Sequence, residues 1–437
     1  MKKNLSLKTL LNKSNILKSL FYFFPIIMLC SSGYITAYVT FLTIFSLYYF
    51  LSNKIKIRIF ILDYLILIFF LSSIVSTLIN FKEISGILII KSFLDIRFAI
   101  FFFLIRLILR SNIVDIKILS LISLFSVIFL AVNVFSQHLV GFDLFGHPPF
   151  DGRYNGIFES EAIAGSYMQK FTLISILFVF LFKNNYKVKS IFTIVIIIFL
   201  GLGILLSLDR MPFIIYLFII TILLLIFKGF RVIFASGLIL VLLIFQILAT
   251  NYPVVKNRYS HLISRFEKLE TKNFSFKKEF YNNEQNNSFD INQDDTNTYL
   301  RLYRTSYEIF LKNPFFGSGI KSFGTQCNKL NISEKKLLCL THPHNIYLEI
   351  IVNQGIVGLF IFLTFVLLML KRYFFNFFSK KNINEFSLNI FFFTILITEL
   401  IPIRSYGSIF QTVNGSLFWF FLALVSSEPF IKKINSK

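Results

Sequence analysis

THPHNIYLEIIVNQGIVGLFIF, residues 341–362, sets two histidines, His342 and His344, directly before an apolar run that leads into a membrane span. The whole chain contains only 5 histidines. Imidazole changes protonation near neutral pH. Polar groups of that kind at a lipid boundary suit a substrate that is itself half lipid.

The surrounding chain is built for a membrane. Its 437 residues are 56% hydrophobic and 15% charged, with 59 Phe and a mean hydropathy of +0.72. Soluble domains carry about 45–50% apolar and about 25% charged residues. The net charge of +22 raises the possibility of nucleic acid. The basic residues sit mostly in short loops between apolar runs, where they orient membrane segments, and that excludes the nucleic-acid reading. The fold expected is all-α, with about twelve transmembrane helices near 17–33, 34–51, 58–80, 88–109, 116–137, 161–182, 187–208, 211–228, 231–250, 355–373, 386–403 and 412–428. The basic N-terminus followed by an apolar run reads as an uncleaved first helix.

Charge fixes an expected orientation. Lys2, Lys3, Lys8, Lys13 and Lys18 precede the first span, and Lys54, Lys56 and Arg58 follow the second. Arg106, Arg110 and Lys117 flank the turn after the fourth; Lys183, Lys187 and Lys189 follow the sixth. Lys228 and Arg231 follow the eighth, Lys371, Arg372, Lys380 and Lys381 the tenth, and Lys432, Lys433 and Lys437 end the chain. Every second connection is basic, as cytoplasmic loops are. Both termini are therefore expected in the cytoplasm, with loops 81–87, 138–160, 208–211, 251–345 and 404–411 facing outward.

The chain divides into residues 1–250 with nine spans, a large outward loop over 251–345, and 346–437 with three spans. A connection that long is usually functional or disordered. Its middle, 281–298, is polar and Asn-rich; its second half reads as a helix. There Leu300, Tyr303, Tyr307, Phe310 and Leu311 recur at helical spacing before Pro314, Gly317 and Gly319 end the run. Cys327 and Cys339 fall in this loop, where oxidation is permitted. They read either as a disulfide or as two separate thiols.

His344 is a candidate general base towards a sugar hydroxyl. The bland alternative is a histidine bonded at the helix start. His342 reads as a second polar contact or as part of the turn with Pro343. Asn345 follows, then nine residues, then Gly355 and Gly358, which would let the helix approach a neighbour closely. Four arginines share the outward side: Arg153, Arg210, and the pair Arg301 and Arg304, three apart on one helix face. Guanidinium suits phosphate oxygens, although snorkelling or a solvated face would place each arginine equally well. In the fourth span Lys91 and Asp95, four apart, could neutralise each other and leave Arg97 to find another partner, so the cluster reads either as structural pairing, which is favoured, or as part of a substrate path. Glu399 and Arg404 pose the same choice between structure and substrate path. A zinc pair lacks a matching Cys/His/Asp set, no Gly-Lys-Ser/Thr phosphate loop appears, and the outward loops contain no Asp-x-Asp.

RLYRTSYEIFLKNPFFGSGIKSF, from Arg301, and HPHNIYLEIIVNQGIVG, from His342, resemble the shared signature of O-antigen ligases and O-antigen polymerases: a loop helix ending in Pro-x-x-Gly-x-Gly, then His-Asn, nine residues and Gly-x-x-Gly. LDRMP resembles the family's Ser-Arg-Gly turn, with Asp209 and Met211 in place of serine and glycine. The resemblance covers roughly 205–365. It implies a metal-independent, cofactor-free glycosyltransferase of the bacterial inner membrane with its site on the periplasmic face. The donor would be a glycan on undecaprenyl diphosphate. The acceptor would be core–lipid A in a ligase or a second lipid-linked glycan in a polymerase. His344 would be the general base. Arg210 and Arg301, assisted by Arg153 or Arg304, would bind the diphosphate, with His342 and Asn345 also against substrate.

The nine-residue spacing after His344-Asn345 resembles ligases, and the spacing from Arg301 to Gly317, with Arg153, resembles polymerases; ligase is favoured narrowly. The rival of another class is a transporter or flippase for the same lipid. Matching halves and interrupted mid-membrane helices, which mark transporters, are not evident in the sequence.

Overall fold

The computed structural model describes residues 12–55, 57–181, 185–260, 295–330, 337–379 and 383–427. The Asn-rich stretch from 281 to 294 and the basic residues Lys2, Lys3, Lys8, Lys56, Lys183, Lys380, Lys381, Lys432, Lys433 and Lys437 lie outside them. The described chain is helical throughout, with an isolated bridge between Phe150 and Arg153 as its β pairing.

In chain order the helices are α1 (Lys13–Tyr22), α2 (Phe24–Ile27), α3 (Ser32–Ser52), α4 (Ile61–Ile79), α5 (Gly86–Leu94), α6 (Ile96–Arg110), α7 (Ile116–Val140), α8 (Ala164–Leu181), α9 (Tyr186–Leu206), α10 (Arg210–Ile226) and α11 (Arg231–Asn251). A short helical stretch, 253–260, follows. Then come α12 (Asp295–Lys312), α13 (Phe323–Asn328), α14 (Ile346–Ser379), α15 (Ile383–Glu399) and α16 (Thr412–Ser426). Among the described residues 7 helices are long and apolar enough to cross a membrane, and three shorter apolar helices, Arg210–Ile226, Leu388–Glu399 and Thr412–Ser426, accompany them. The chain is a multi-pass membrane protein.

The two remaining expected spans, 17–33 and 88–109, are broken rather than continuous. The first stops at Tyr22 and restarts as α2. Pro25 has no N–H to offer the carbonyl one turn back, so the ladder cannot run through it. The other breaks at Asp95, between α5 and α6. Asp95 does not make the pair with Lys91 that its spacing allows. Its carboxylate binds Lys321 Nζ at 2.9 Å, from a loop 226 residues away, and Arg97 donates to Thr412 Oγ1 at 3.0 Å.

The bundle closes on α16, whose residues Gly415 to Ser426 are all buried. A helix apolar all round belongs in the interior. Trp419 is fully buried among Phe69, Phe70, Phe102 and Phe418 and donates its indole N–H to Ile409 O at 3.1 Å. Large side chains such as Phe41, Leu51, Leu71 and Phe360 point outward from the bundle, as a lipid-facing wall requires. At the α16 C-terminus Arg106 and Arg372 both donate to Ser426 O, and Arg106 also pairs with buried Asp63. Cations at a helix C-terminus meet its negative end. Arg106, expected in a loop margin, is thus fully buried.

Successive long helices alternate direction. One end of the bundle therefore gathers loops 141–163, 207–209 and 400–411, the stretch 253–260, and α12, α13 and 337–345. Contacts across this loop end join segments far apart in sequence, such as Asn80 Nδ2 to Gly317 O at 2.9 Å and Tyr299 Oη to Ser405 Oγ at 3.3 Å.

Candidate active site at the loop end

α14 is two helices in one line. Gly355 interrupts it with φ 65° and ψ −161°. An interrupted helix strands carbonyls before the break and N–H groups after it. The turn Pro314–Gly319 satisfies both sets. Ser318 and Gly319 donate their N–H groups to Val352 O (2.8 Å) and Asn353 O (3.1 Å), while Ile356 and Val357 donate to Pro314 O (2.9 Å) and Phe315 O (3.2 Å). α4 completes the lock with one polar edge. Ser72 Oγ bonds Gln354 Oε1 (2.8 Å), Ser76 Oγ bonds Asn353 O (2.6 Å), and Thr77 Oγ1 accepts from Ile320 N (3.1 Å). The Pro-x-x-Gly-x-Gly and Gly-x-x-Gly motifs are therefore two halves of one joint. Gly355 makes the close approach to a neighbour that the sequence suggests, here through a left-handed break against the Pro314–Phe315 backbone, whereas Gly358 faces Gln354 of its own helix.

The joint fixes the short segment Ile346–Gln354, and that segment carries His344 at its head. Asn345 caps it: Oδ1 accepts from Tyr347 N (3.0 Å) and Leu348 N (3.1 Å), while Nδ2 donates to Pro402 O. Asn345, expected among substrate contacts, thus commits both ends of its side chain to the protein. His344 holds a left-handed φ of 54°, and its carbonyl accepts from Tyr406 N at 2.9 Å. Its ring lies 4.1 Å from that of His342, whose Nδ1 meets Thr341 Oγ1 at 3.0 Å. Both rings are partly buried. Burial lowers the pKa of His344, and burial with the neighbouring His344 lowers His342 to about 4. Both imidazoles are neutral at pH 7, the form that accepts a proton.

Tyr406 belongs to a buried polar cluster. Glu399 takes Lys170 Nζ at 2.5 Å, Tyr406 Oη at 2.7 Å and Arg404 Nη1 at 3.3 Å, and Arg404 Nη2 bonds Gln169 Oε1 at 2.9 Å. Glu399 and Arg404 are thus paired structurally, with Lys170 as a partner that the sequence does not indicate.

One turn earlier on α8, Gly165 N donates to Asp209 Oδ2 at 3.1 Å, and Arg153 Nη1 meets Asp209 Oδ1 at 3.4 Å. Arg258 stands beside them, donating Nε to Leu208 O at 3.4 Å. Burial, together with the charges of Arg153 and Arg210, lowers the pKa of Arg258. The structure thus brings Arg153 and Arg210 together and adds Arg258, which carries no motif and is one of 44 basic residues in sequence. From Gly165 to Lys170 the helix rises only about 7.5 Å, so the first turns of α8 connect the arginine group to the cluster behind His344.

Arg301 donates Nη2 to Leu337 O at 2.8 Å, and Arg304 lies part-buried one turn along α12. The face that α12 buries is Leu302, Thr305, Ser306 and Ile309. Leu300, Tyr303, Tyr307 and Leu311, whose helical spacing marks this helix in the sequence, are exposed. Cys327 and Cys339 form a disulfide that ties α13 to the segment before His342.

Residues 192–363 match the family model described as O-antigen ligase. Over this region the chain is similar to the O-antigen ligase family. No curated protein matches the chain. The O-antigen ligase match takes in Asp209, Arg210, Arg258, Arg301, Arg304, both histidines and the whole glycine joint. Arg153, Lys170 and the 400–411 loop lie outside it and reach the site through the contacts above. Members of this family are membrane glycosyltransferase-like enzymes.

Proposed function

We propose that this protein transfers a glycan from undecaprenyl diphosphate to a sugar hydroxyl of core–lipid A at the periplasmic face of the bacterial inner membrane. The observation that carries the reading is His344, neutral and half-buried, held at the head of a broken helix inside the O-antigen ligase match. In this reaction the acceptor oxygen attacks the anomeric carbon and the bond from that carbon to the phosphate oxygen breaks. Undecaprenyl diphosphate leaves with the electron pair, and His344 takes the hydroxyl proton. Arg210 and Arg301, with Arg153 and Arg304, stabilise the charge that grows on the leaving diphosphate. His342 borders the acceptor, and Asn345 acts by holding His344. The diphosphate linkage supplies the driving force, so the step calls on no nucleotide, metal or cofactor.

The test uses purified protein in lipid, a lipid-diphosphate-linked glycan donor, and two acceptors offered separately: core–lipid A and a second lipid-linked glycan. Glycan on core–lipid A that disappears in His344→Ala is the expected result. Growth of the lipid-linked chain alone makes the protein a polymerase with the same histidine role. Undiminished product from His344→Ala rejects the mechanism with either acceptor.

A further inference from the structure

Asp209 occupies the N-cap of α10 but does not cap it. An Asp at that position ordinarily accepts from the second or third N–H of its helix. Here the third residue is Pro212, which has no N–H to give. The carboxylate turns away instead, into the arginine group, and lies buried at 7% exposure against Arg153 and the N–H of Gly165. The fit is close enough that a Cβ on Gly165 would fall 2.9 Å from Asp209 Oδ2. Around this carboxylate stand Arg153, Arg210 and Arg258, with Asp151 the further acidic group that acts on Arg258 and with Tyr259 alongside. Arg153 and Arg258 thus act on the buried carboxylate of Asp209, while Arg210 and Asp151 act on Arg258. Arg153 Nε is buried without a hydrogen-bond partner among the described residues. The positive end of α10 adds to the surplus.

We infer that Arg258 is a further diphosphate-binding residue of this site, and that Asp209 is a built-in anion that holds Arg153 and offsets the charge of Arg258 until a substrate phosphate takes over both roles. The inference rests on the diphosphate-donor reading above and adds a residue and a stand-in to it. Burial raises the pKa of Asp209 to about 6, despite Arg153, Gly165 and Arg258 acting in the opposite sense. The carboxylate is held at the expense of its ionised form, as suits a group that gives way to a better anion.

The experiment measures inorganic pyrophosphate affinity of the full chain in lipid nanodiscs by calorimetry, for wild type, Arg258→Gln, Arg258→Lys and Asp209→Asn. Arg258→Gln is expected to weaken binding on the order of tenfold, the scale of one charge-assisted hydrogen bond. Arg258→Lys should recover part of that loss, which a merely structural defect would not. Asp209→Asn keeps the shape, removes the competing charge, and is expected to bind several-fold tighter. Unchanged affinity in Arg258→Gln overturns the binding assignment. Unchanged or weaker affinity in Asp209→Asn overturns the stand-in. Absence of pyrophosphate binding in wild type overturns both. Glycan transfer is scored separately: transfer with no pyrophosphate effects leaves the proposed reaction standing without this inference, and the converse leaves an anion site without the reaction.

Discussion

Gly317 and Gly355 meet backbone to backbone: a Cβ on Gly317 would lie 2.6 Å from Gly355 N, and one on Gly355 would lie 2.3 Å from Phe315 O. Both hold left-handed φ values, 72° and 65°. Alanine at either position therefore meets strain and overlap together. Each factor costs about 1–3 kcal/mol, and the overlap here is with backbone that cannot rotate away. Gly355→Ala and Gly317→Ala are each expected to lower the melting temperature in detergent by several degrees. They should also abolish transfer, because the segment carrying His344 loses its register. Melting curves equal to wild type would refute the joint.

The disulfide between Cys327 and Cys339 closes a loop of 12 residues' separation. Chain-entropy arguments assign such a loop about 3 kcal/mol. Cys327 is fully buried beside Phe323 and Leu302, so the bridge also anchors α12. Cys327→Ser with Cys339→Ser is expected to melt earlier than wild type, and reductant should shift wild type but not the double variant. Reductant-insensitive melting of wild type would show that the bond contributes nothing.

These two features differ in how far the sequence discloses them. Apolar runs locate the helices because lipid demands long hydrophobic segments whatever the tertiary contacts. The glycine spacing marks a special backbone at Gly355, yet periodicity describes only a helix's own face, so the partner turn at Pro314 stays hidden. α12 illustrates the same limit. Leu300, Tyr303, Tyr307 and Leu311 point outward while Leu302 and Ile309 pack inside together with the small Thr305 and Ser306. Lys321 reaches Asp95 from 226 residues away, and Lys170 reaches Glu399 from 229. No local spacing encodes such pairs. Arg258 escapes notice for a related reason: a lone arginine at the start of a large loop acquires meaning only beside Asp209.

Glu399 serves two cations, Lys170 and Arg404, as well as Tyr406. Removing the carboxylate strands two buried positive charges, whereas removing Lys170 leaves Glu399 still paired to Arg404. Loss of one partner of a buried pair costs about 3–5 kcal/mol. Glu399→Gln is expected to destabilise by that amount, and Lys170→Met by clearly less. A double-mutant cycle on thermal or denaturant unfolding checks the order. Equal losses, or a larger loss from Lys170→Met, would mean that Lys170 rather than Glu399 is the centre of the cluster.

The pH profile should carry the signature of His344. A general base works in its unprotonated form, and burial lowers the pKa of this imidazole below the ordinary 6.5. The base is half protonated only at a pH below 6.5, so kcat falls as the medium is acidified through that region. Its acid limb is expected to have a midpoint under 6.5. His342, held at about 4, stays neutral through that limb and contributes no second step within it. The charge coupling acts on His342, whereas His344 is shifted by burial, so His342→Ala should leave the limb its single-proton slope. An acid limb centred above pH 7, or one that persists with the same midpoint in a residually active His344→Gln protein, would assign the proton transfer to another group.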